Sequence, residues 1–366
     1  AGDNRYVTLA GADTLPDMML GRLAVNTSAE AAAFVSKIIA YEQNPVPGDW
    51  QQRVLAVADN ADTAGDFAEI STDLLAHHLP DPYQAEEVYY GVTHTNADAA
   101  RTAVINGINA GRLIVNYIGH ASQAQWANEG LFKASDVTTL TNGGMMPIML
   151  PMTCYDGYYH SPAPVQGKDS TAEVVTRAAG RGAVASWSPT GLGVATGHDI
   201  INRAFFDAVF KDQLGTVGAG TAAGKLALYV RASNLDLLDT YLLFGDPATR
   251  LPTACASPSS AVSGLTISSA NSSEVQLAWD PAPDALLYQV WWNGLDPYFV
   301  PTTGMSCSES NGCAWRSATS FKHASGLSDT TLNNSYLVLP VSACGAVQGS
   351  PSNRVGEFDF SLVPGD

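Results

Sequence analysis

Positive charge is scarce in this 366-residue chain: 18 Lys and Arg stand against 35 Asp and Glu, for a formal net charge of −17 at pH 7. A surface that acidic repels phosphate backbones, which argues against nucleic acid as a partner. Charge of either sign is also sparse, at 14% of residues against about 25% in an average soluble domain. Gly, Ser, Thr and Asn take its place, a balance common in extracellular proteins, so a secreted or cell-surface location is expected. No apolar run reaches the roughly 18 residues that a helical membrane span needs. No signal-peptide pattern lies at Ala1, and the chain opens directly on Asp3-Asn4-Arg5-Tyr6-Val7. We expect a mature or truncated form of a longer precursor. No Cys-x-x-Cys pair is present, which makes a structural zinc site a poor reading.

What cysteine there is falls in two places. Cys154 stands alone, while Cys255, Cys307, Cys313 and Cys344 share the last third of the chain. Four cysteines permit three pairings. Cys307 and Cys313 are close enough in sequence for a local staple, which would leave Cys255 with Cys344. The odd cysteine is then a candidate reactive thiol.

Residues 1 to about 253 alternate short apolar runs with helical patterns. Strands are expected at 53–58, 113–118, 146–153 and 183–186, and helices at 66–78, 98–110, 170–179, 197–211 and 218–231. Such alternation means βαβ units around a mostly parallel sheet, with strands buried on both faces and hence nearly continuously apolar. Past Leu251-Pro252 the pattern changes. A linker at Ala256–Ser260 leads into short alternating strands with no helical pattern, the signature of a β-sandwich over residues 254–366. Val275–Asp280 with Tyr288–Trp291 resembles the B and C strands of a fibronectin type III domain, and Tyr336–Ala343 with Ser350–Asn353 its F and G strands.

Two of the apolar runs end in reactive groups, one in Gly119-His120-Ala121 and the other in Thr153-Cys154-Tyr155. In a parallel sheet, sites form beyond the carboxyl ends of the strands. Neighbouring strands would bring His120 and Cys154 into one crevice. An imidazole beside a thiol favours thiolate, a nucleophile for peptide carbonyls, and can later protonate the leaving amine. A lone cysteine at a strand end is more often a small buried hydrophobe. It is the pairing with a histidine on the previous strand that favours chemistry.

The order of motifs resembles that of the gingipain peptidases over about residues 3–252. The matching pieces are Leu15–Arg22, Lys37–Glu42, Tyr117–Ser122, Trp126, Asn142-Gly143, Thr153–Gly157, Ser170–Glu173, Gly182–Ala185 and Phe244–Ala248. The resemblance implies a caspase-like fold and a Cys154–His120 dyad. It also implies an oxyanion hole from the backbone N–H of Cys154 and one near Gly119. Asp59 matches the acidic residue that orients the histidine, with Asp62 as competitor. Asp66 matches the acid at the base of a pocket for Arg or Lys, although Asp before a helix is also a favoured N-cap. Trp187 is a candidate pocket wall, displaced from its place in the relatives, and Tyr155 is a candidate cleft residue. Ala121 stands where the family often has Gly, which narrows the site.

The implied activity is that of a secreted cysteine endopeptidase cleaving after basic residues in protein or peptide substrates. The same dyad would also serve a surface transpeptidase, and a non-catalytic adhesive protein is the third reading. No cofactor is required for catalysis. The resemblance brings in structural calcium, for which no ligand set is legible. It also suggests a missing first strand in the 1–253 domain and processing near Ala1, with an upstream fragment of the precursor staying bound.

Overall fold

The computed structural model describes residues 2–46, 48–160, 169–251, 260–283, 285, 287–301, 307–324, 326–327, 332–341 and 350–356. The chain divides into two compact units, residues 1–46 with 50–253, and residues 254–366 with 47–49.

In the first unit, one sheet contains β1 (Gly21–Arg22), β2 (Arg53–Ala58), β3 (Gln84–Tyr89), β4 (Ile114–Ile118), β8 (Ile148–Met152), β9 (Ala185–Pro189) and β10 (Tyr241–Phe244). The strand order is β1-β10-β9-β8-β4-β2-β3. Every pairing from β9 to β3 is parallel, β10 runs antiparallel to β9, and β1 lies parallel to β10 at the edge. Three short strands, β5 (Ala121–Ser122), β6 (Gln125–Trp126) and β7 (Phe132–Lys133), form a small antiparallel sheet just after β4. The helices are α1 (Ser28–Gln43), α2 (Phe67–His78), α3 (Ala97–Asn109), α4 (Thr171–Arg177), α5 (Ala195–Phe206), α6 (Val217–Arg231) and α7 (Asp236–Thr240), and a π-helical stretch at Asp207–Lys211 prolongs α5.

The continuous apolar strands follow from burial on both faces. Val54, Ala56 and Ala58 of β2 enter one core with Leu74, Ile201, Phe205 and Leu228, while Leu55 and Val57 enter a second with Val104, Ile108 and Trp126. Side chains alternate across a strand, so a strand that feeds two cores has no polar face to show. Helix starts are set locally: Thr27, Asp66, Asn96, Ser170 and Thr216 each accept a hydrogen bond from the backbone N–H three residues on. Helix α1 and strands β1, β3 and β10 were not anticipated from the sequence.

The second unit holds two antiparallel sheets. Strands β11 (Thr266–Ser269), β12 (Val275–Ala278) and β15 (Ser320–His323) make one, in that order. Strands β14 (Cys313–Arg316), β13 (Leu287–Asn293), β16 (Ser335–Val341) and β17 (Val355–Gly356) make the other. Leu277 and Phe321 from the first sheet and Tyr288, Val290 and Val338 from the second share one core, which makes this unit an all-β sandwich. Cys307 and Cys313 are joined by a disulfide. Cys255 and Cys344 lie outside the described residues. Among the described residues, no helix is long and apolar enough to cross a membrane.

Candidate active site

Register places the two reactive groups. Strands β4 and β8 are adjacent and parallel, with Ile118 opposite Met152. His120 and Cys154 are each two residues beyond that pair. The Gly119 N–H donates to Met152 O at 3.3 Å, which carries the ladder one step past the strand ends. Both side chains line one cleft of about 480 Å³, together with Ala64, Phe67, Met152, Leu192, Gly193 and His198 among others. The cleft therefore opens at the carboxyl ends of the parallel strands, where ligand sites in α/β sheets form.

The imidazole is held on two sides. Its Nε2 lies 2.8 Å from Asp62 Oδ2, and its ring meets Phe67, the first residue of α2, edge-on at 5.4 Å. The carboxylate on the ring is thus that of Asp62, where Asp59 was the first expectation. Asp59 follows β2 directly and is buried, and its Oδ2 accepts the backbone N–H of His120 at 3.2 Å while Oδ1 accepts that of Asn60. Burial raises the Asp59 carboxyl above its ordinary range, and these two N–H donors partly offset the shift. Asp59 is too deep to reach the ring, whereas Asp62 lies on the turn that carries the chain from β2 towards α2. The Ala64 N–H, and then the imidazole, hold the Asp62 carboxyl below its usual value. Gly119 must be glycine here, because a Cβ would lie 2.4 Å from Asp59 Cβ and 2.6 Å from the Tyr117 hydroxyl.

The thiol stands at a bend. Tyr155, the next residue, has φ +57°, a strained value for a bulky side chain, and its N–H donates to Gly191 O at 3.0 Å. Cys154 Sγ lies 3.6 Å from Gly193 O. Among the described residues the Cys154 N–H has no acceptor. The N–H of Gly119, expected as a second oxyanion donor, is instead taken up by Met152 O. A different donor is free: Ala127 N bonds His120 O, and Ala121 faces Trp126, so 121 and 126 are the non-hydrogen-bonded pair of their hairpin and the Ala121 N–H turns away from β6.

Three expected substrate contacts lie elsewhere. Asp66 is exposed and spends its Oδ1 on the Glu69 N–H as the N-cap of α2, and it does not line the cleft. Trp187 is fully buried between Phe205 and Tyr241, and it borders a separate cavity of about 30 Å³ with Met18 and Lys225. Tyr155 packs against Tyr158 and is likewise absent from the cleft lining. Two other residues matter more, His198, which sequence reasoning missed, and Asp156, which was expected at the cleft border and is buried instead. His198, on the first turn of α5, lines the cleft; burial pulls its imidazole down to about 4, so it is neutral. Asp156 is fully buried under the nucleophile loop, bonded by Trp126 Nε1 at 2.8 Å and Ser188 Oγ at 2.9 Å, and burial pushes it up to about 6. The only hint of His198 in the sequence is its place straight after the Gly-rich stretch 191–197.

Among the described residues, no group of three or more His, Cys, Asp or Glu side chains is arranged to hold a metal ion. The described side chains thus offer no carboxylate cluster for the expected calcium.

The model of peptidase family C25 matches residues 1–252. The chain is similar to gingipain R1 of Porphyromonas gingivalis, with 25% identity over 299 residues that cover 74% of this chain and 28% of the relative. It is also similar to gingipain R2 of that organism, with 24% identity over 272 residues covering 67% and 34%. The chain thus spans about a third or less of the length of these curated relatives. Among solved structures it resembles the Arg-specific cysteine proteinase gingipain R, with TM-score 0.58 and 20% identity over 97% of this chain and 78% of that one. The complex of the Porphyromonas gingivalis RgpB pro- and mature domains gives TM-score 0.60 and 19% identity over 96% and 80%. At such identity the likeness is one of fold alone.

Proposed function

The chain belongs to peptidase family C25, and from that premise we propose that it is a secreted or cell-surface cysteine endopeptidase with Cys154 as nucleophile and His120 as proton carrier. One observation carries the reading: the two side chains leave adjacent parallel strands at equivalent register positions and line the same cleft.

With Nε2–H given to Asp62, Nδ1 is the imidazole nitrogen left to act as base. It takes the thiol proton, and the thiolate adds to the scissile carbonyl. The N–H groups of Cys154 and Ala121 receive the oxyanion that forms. The Nδ1 proton then passes to the leaving amine, which breaks the peptide bond and leaves an acyl-enzyme. Water, deprotonated by the same nitrogen, releases the acid product. Asp62 stabilises the imidazolium and fixes its tautomer, and Asp59 positions the His120 backbone. No cofactor enters any step, and structural calcium has no part in the chemistry. Protein or peptide substrates are the partners. An upstream fragment of the precursor is a further one, a reading supported by the pro- and mature-domain complex of the relative. A preference for Arg or Lys gains nothing from Asp66, whose carboxylate caps a helix.

Native protein, Cys154→Ala and His120→Ala, each presented with a fluorogenic peptide library, test the reading. We expect cleavage by the native chain only. Equal turnover by Cys154→Ala would end the proposal.

A further inference from the structure

Beside the thiol, the described lining of the cleft is mostly apolar, with Thr196 and the two histidines, His120 and His198, as its polar side chains. Phe67 and Ile118 come from the His120 side, Met152 from beneath Cys154, and Leu192 and Val194 from the loop that joins β9 to α5. None of the described lining residues is Asp, Glu, Lys or Arg. Leu192 and Val194 are 64% and 55% exposed, a large apolar surface turned to water at the rim of a catalytic cleft. That rim is tied to the nucleophile, since Tyr155 N–H bonds Gly191 O at 3.0 Å and Cys154 Sγ lies 3.6 Å from Gly193 O. At the foot of the loop the His198 ring is buried, with its Nε2 unpartnered and close under Gly193, where a Cβ would come within 2.2 Å of it. Uncharged, that ring offers a side chain neither an anion nor a cation.

We propose that this recess is the primary specificity pocket and that it takes an uncharged apolar P1 side chain, such as Leu, Met or Phe, rather than Arg or Lys. The inference rests on the dyad reading above: a scissile carbonyl over Cys154 Sγ sets the P1 Cβ at the mouth of the recess that the thiol itself lines. An apolar P1 chain covers Leu192, Val194 and Phe67 and gains from their removal from water. A guanidinium or ammonium group placed there sheds its hydration and meets no carboxylate in return. The cleft, at about 480 Å³, has room for an aromatic ring.

Two measurements separate the pocket from the chemistry. Cys154→Ala is titrated with two peptides identical except for Leu or Arg at P1. The Leu peptide should bind roughly tenfold tighter or more, the scale on which an apolar pocket discriminates. Equal affinity, or tighter binding of the Arg peptide, would overturn the pocket assignment whether or not the native enzyme cleaves either one. The same pair is then offered to Val194→Glu, a change at an exposed rim position whose folding is checked by thermal melting. Binding of the Arg peptide should rise and that of the Leu peptide fall; no change in either places P1 elsewhere. In the native enzyme, Cys154-dependent cleavage that favours Arg sinks the pocket and leaves the dyad standing. Cleavage that persists in Cys154→Ala sinks the dyad reading instead.

Discussion

Asp62 meets the nitrogen of His120 that proton transfer does not use, and it does so from an exposed turn, at 39% side-chain exposure against 50% for the ring. Water therefore shares the work of solvating the imidazolium. Asp62→Asn should lower kcat by roughly 10- to 100-fold, below the ~10²–10⁴ that a positioned base is worth, with KM little changed. Steady-state kinetics on one peptide checks this, and a pure KM effect would assign Asp62 to substrate binding. The buried Asp156 behaves differently. Its folded value of about 6 lies above the ordinary 3.8, so between those pH values the folded state holds more protons than the unfolded one. Stability then falls as pH rises through that window, by on the order of 3 kcal/mol in total. Asp156→Asn removes the charge and keeps an acceptor for Trp126. The melting temperature of Asp156→Asn relative to native protein should therefore climb between about pH 4 and pH 7 and level off above it. A difference that does not vary with pH would mean Asp156 is not buried as a carboxylate.

Elements were legible in the sequence where burial left a clean pattern. Strands β2, β4 and β8 are almost continuously apolar because two cores claim their alternate residues, Arg53 at the start of β2 and the hydrogen-bonded Asn116 in β4 being the exceptions, and the tips of β4 and β8 delivered the dyad. Strand β3 escaped notice because it is an edge strand: of Gln84–Tyr89, only Val88 and Tyr89 are buried, and Glu86 and Glu87 face water. Strand β10 is only four apolar residues, set two residues after the apolar pair Leu237-Leu238 of α7, too short a stretch for periodicity alone to tell strand from helix. Helix α1 hid a polar residue on its buried face. Lys37 lies beside Phe34, Ile38 and Tyr41, and its Nζ donates to the carbonyls of Thr176, Ala178 and Arg181 at 2.7–3.0 Å, with Val175 O at 3.4 Å. Burial draws the ammonium down to about 7, yet these carbonyls call for three donors, which only the charged form supplies. It closes the C-terminal end of α4, the helix that follows the nucleophile loop. Nothing in a sequence marks which lysine will do this, since the partners are backbone atoms more than a hundred residues away. Lys37→Met keeps the stem and takes the Lys37 donor from the buried Thr176 carbonyl and from the half-buried Ala178 and Arg181 carbonyls, while Val175 O keeps the Ala183 N–H, a loss that should cost about 3 kcal/mol. Thermal melting tests it, and a loss under about 1 kcal/mol would mean that water serves the carbonyls instead. The orienting carboxylate misled for a related reason: Asp59 and Asp62 share one turn, and only side-chain depth decides which of them reaches the ring.

The whole molecule carries a net charge of −17, while the recess beside Cys154 has no Asp, Glu, Lys or Arg among its described lining residues. Long-range attraction and local fit are therefore separable. The field of the acidic surface acts over roughly a Debye length, about 8 Å at physiological salt. It speeds the approach of a basic peptide without choosing where its side chains seat. A peptide with Leu at P1 and Lys residues several positions from the scissile bond should lose about tenfold in kcat/KM as salt rises from low concentration to roughly 0.5 M. Its kcat should stay constant, because the bound complex is unchanged. An uncharged analogue with the same P1 should show no such slope. Were an acid hidden in the recess, the salt dependence would follow charge at P1 and vanish when the distant lysines alone remained. Progress curves for four peptides, with Leu or Arg at P1 and with or without distant lysines, distinguish the two cases. A slope set by P1 charge would contradict the apolar pocket, and one set by total peptide charge would show steering by the acidic surface as a whole.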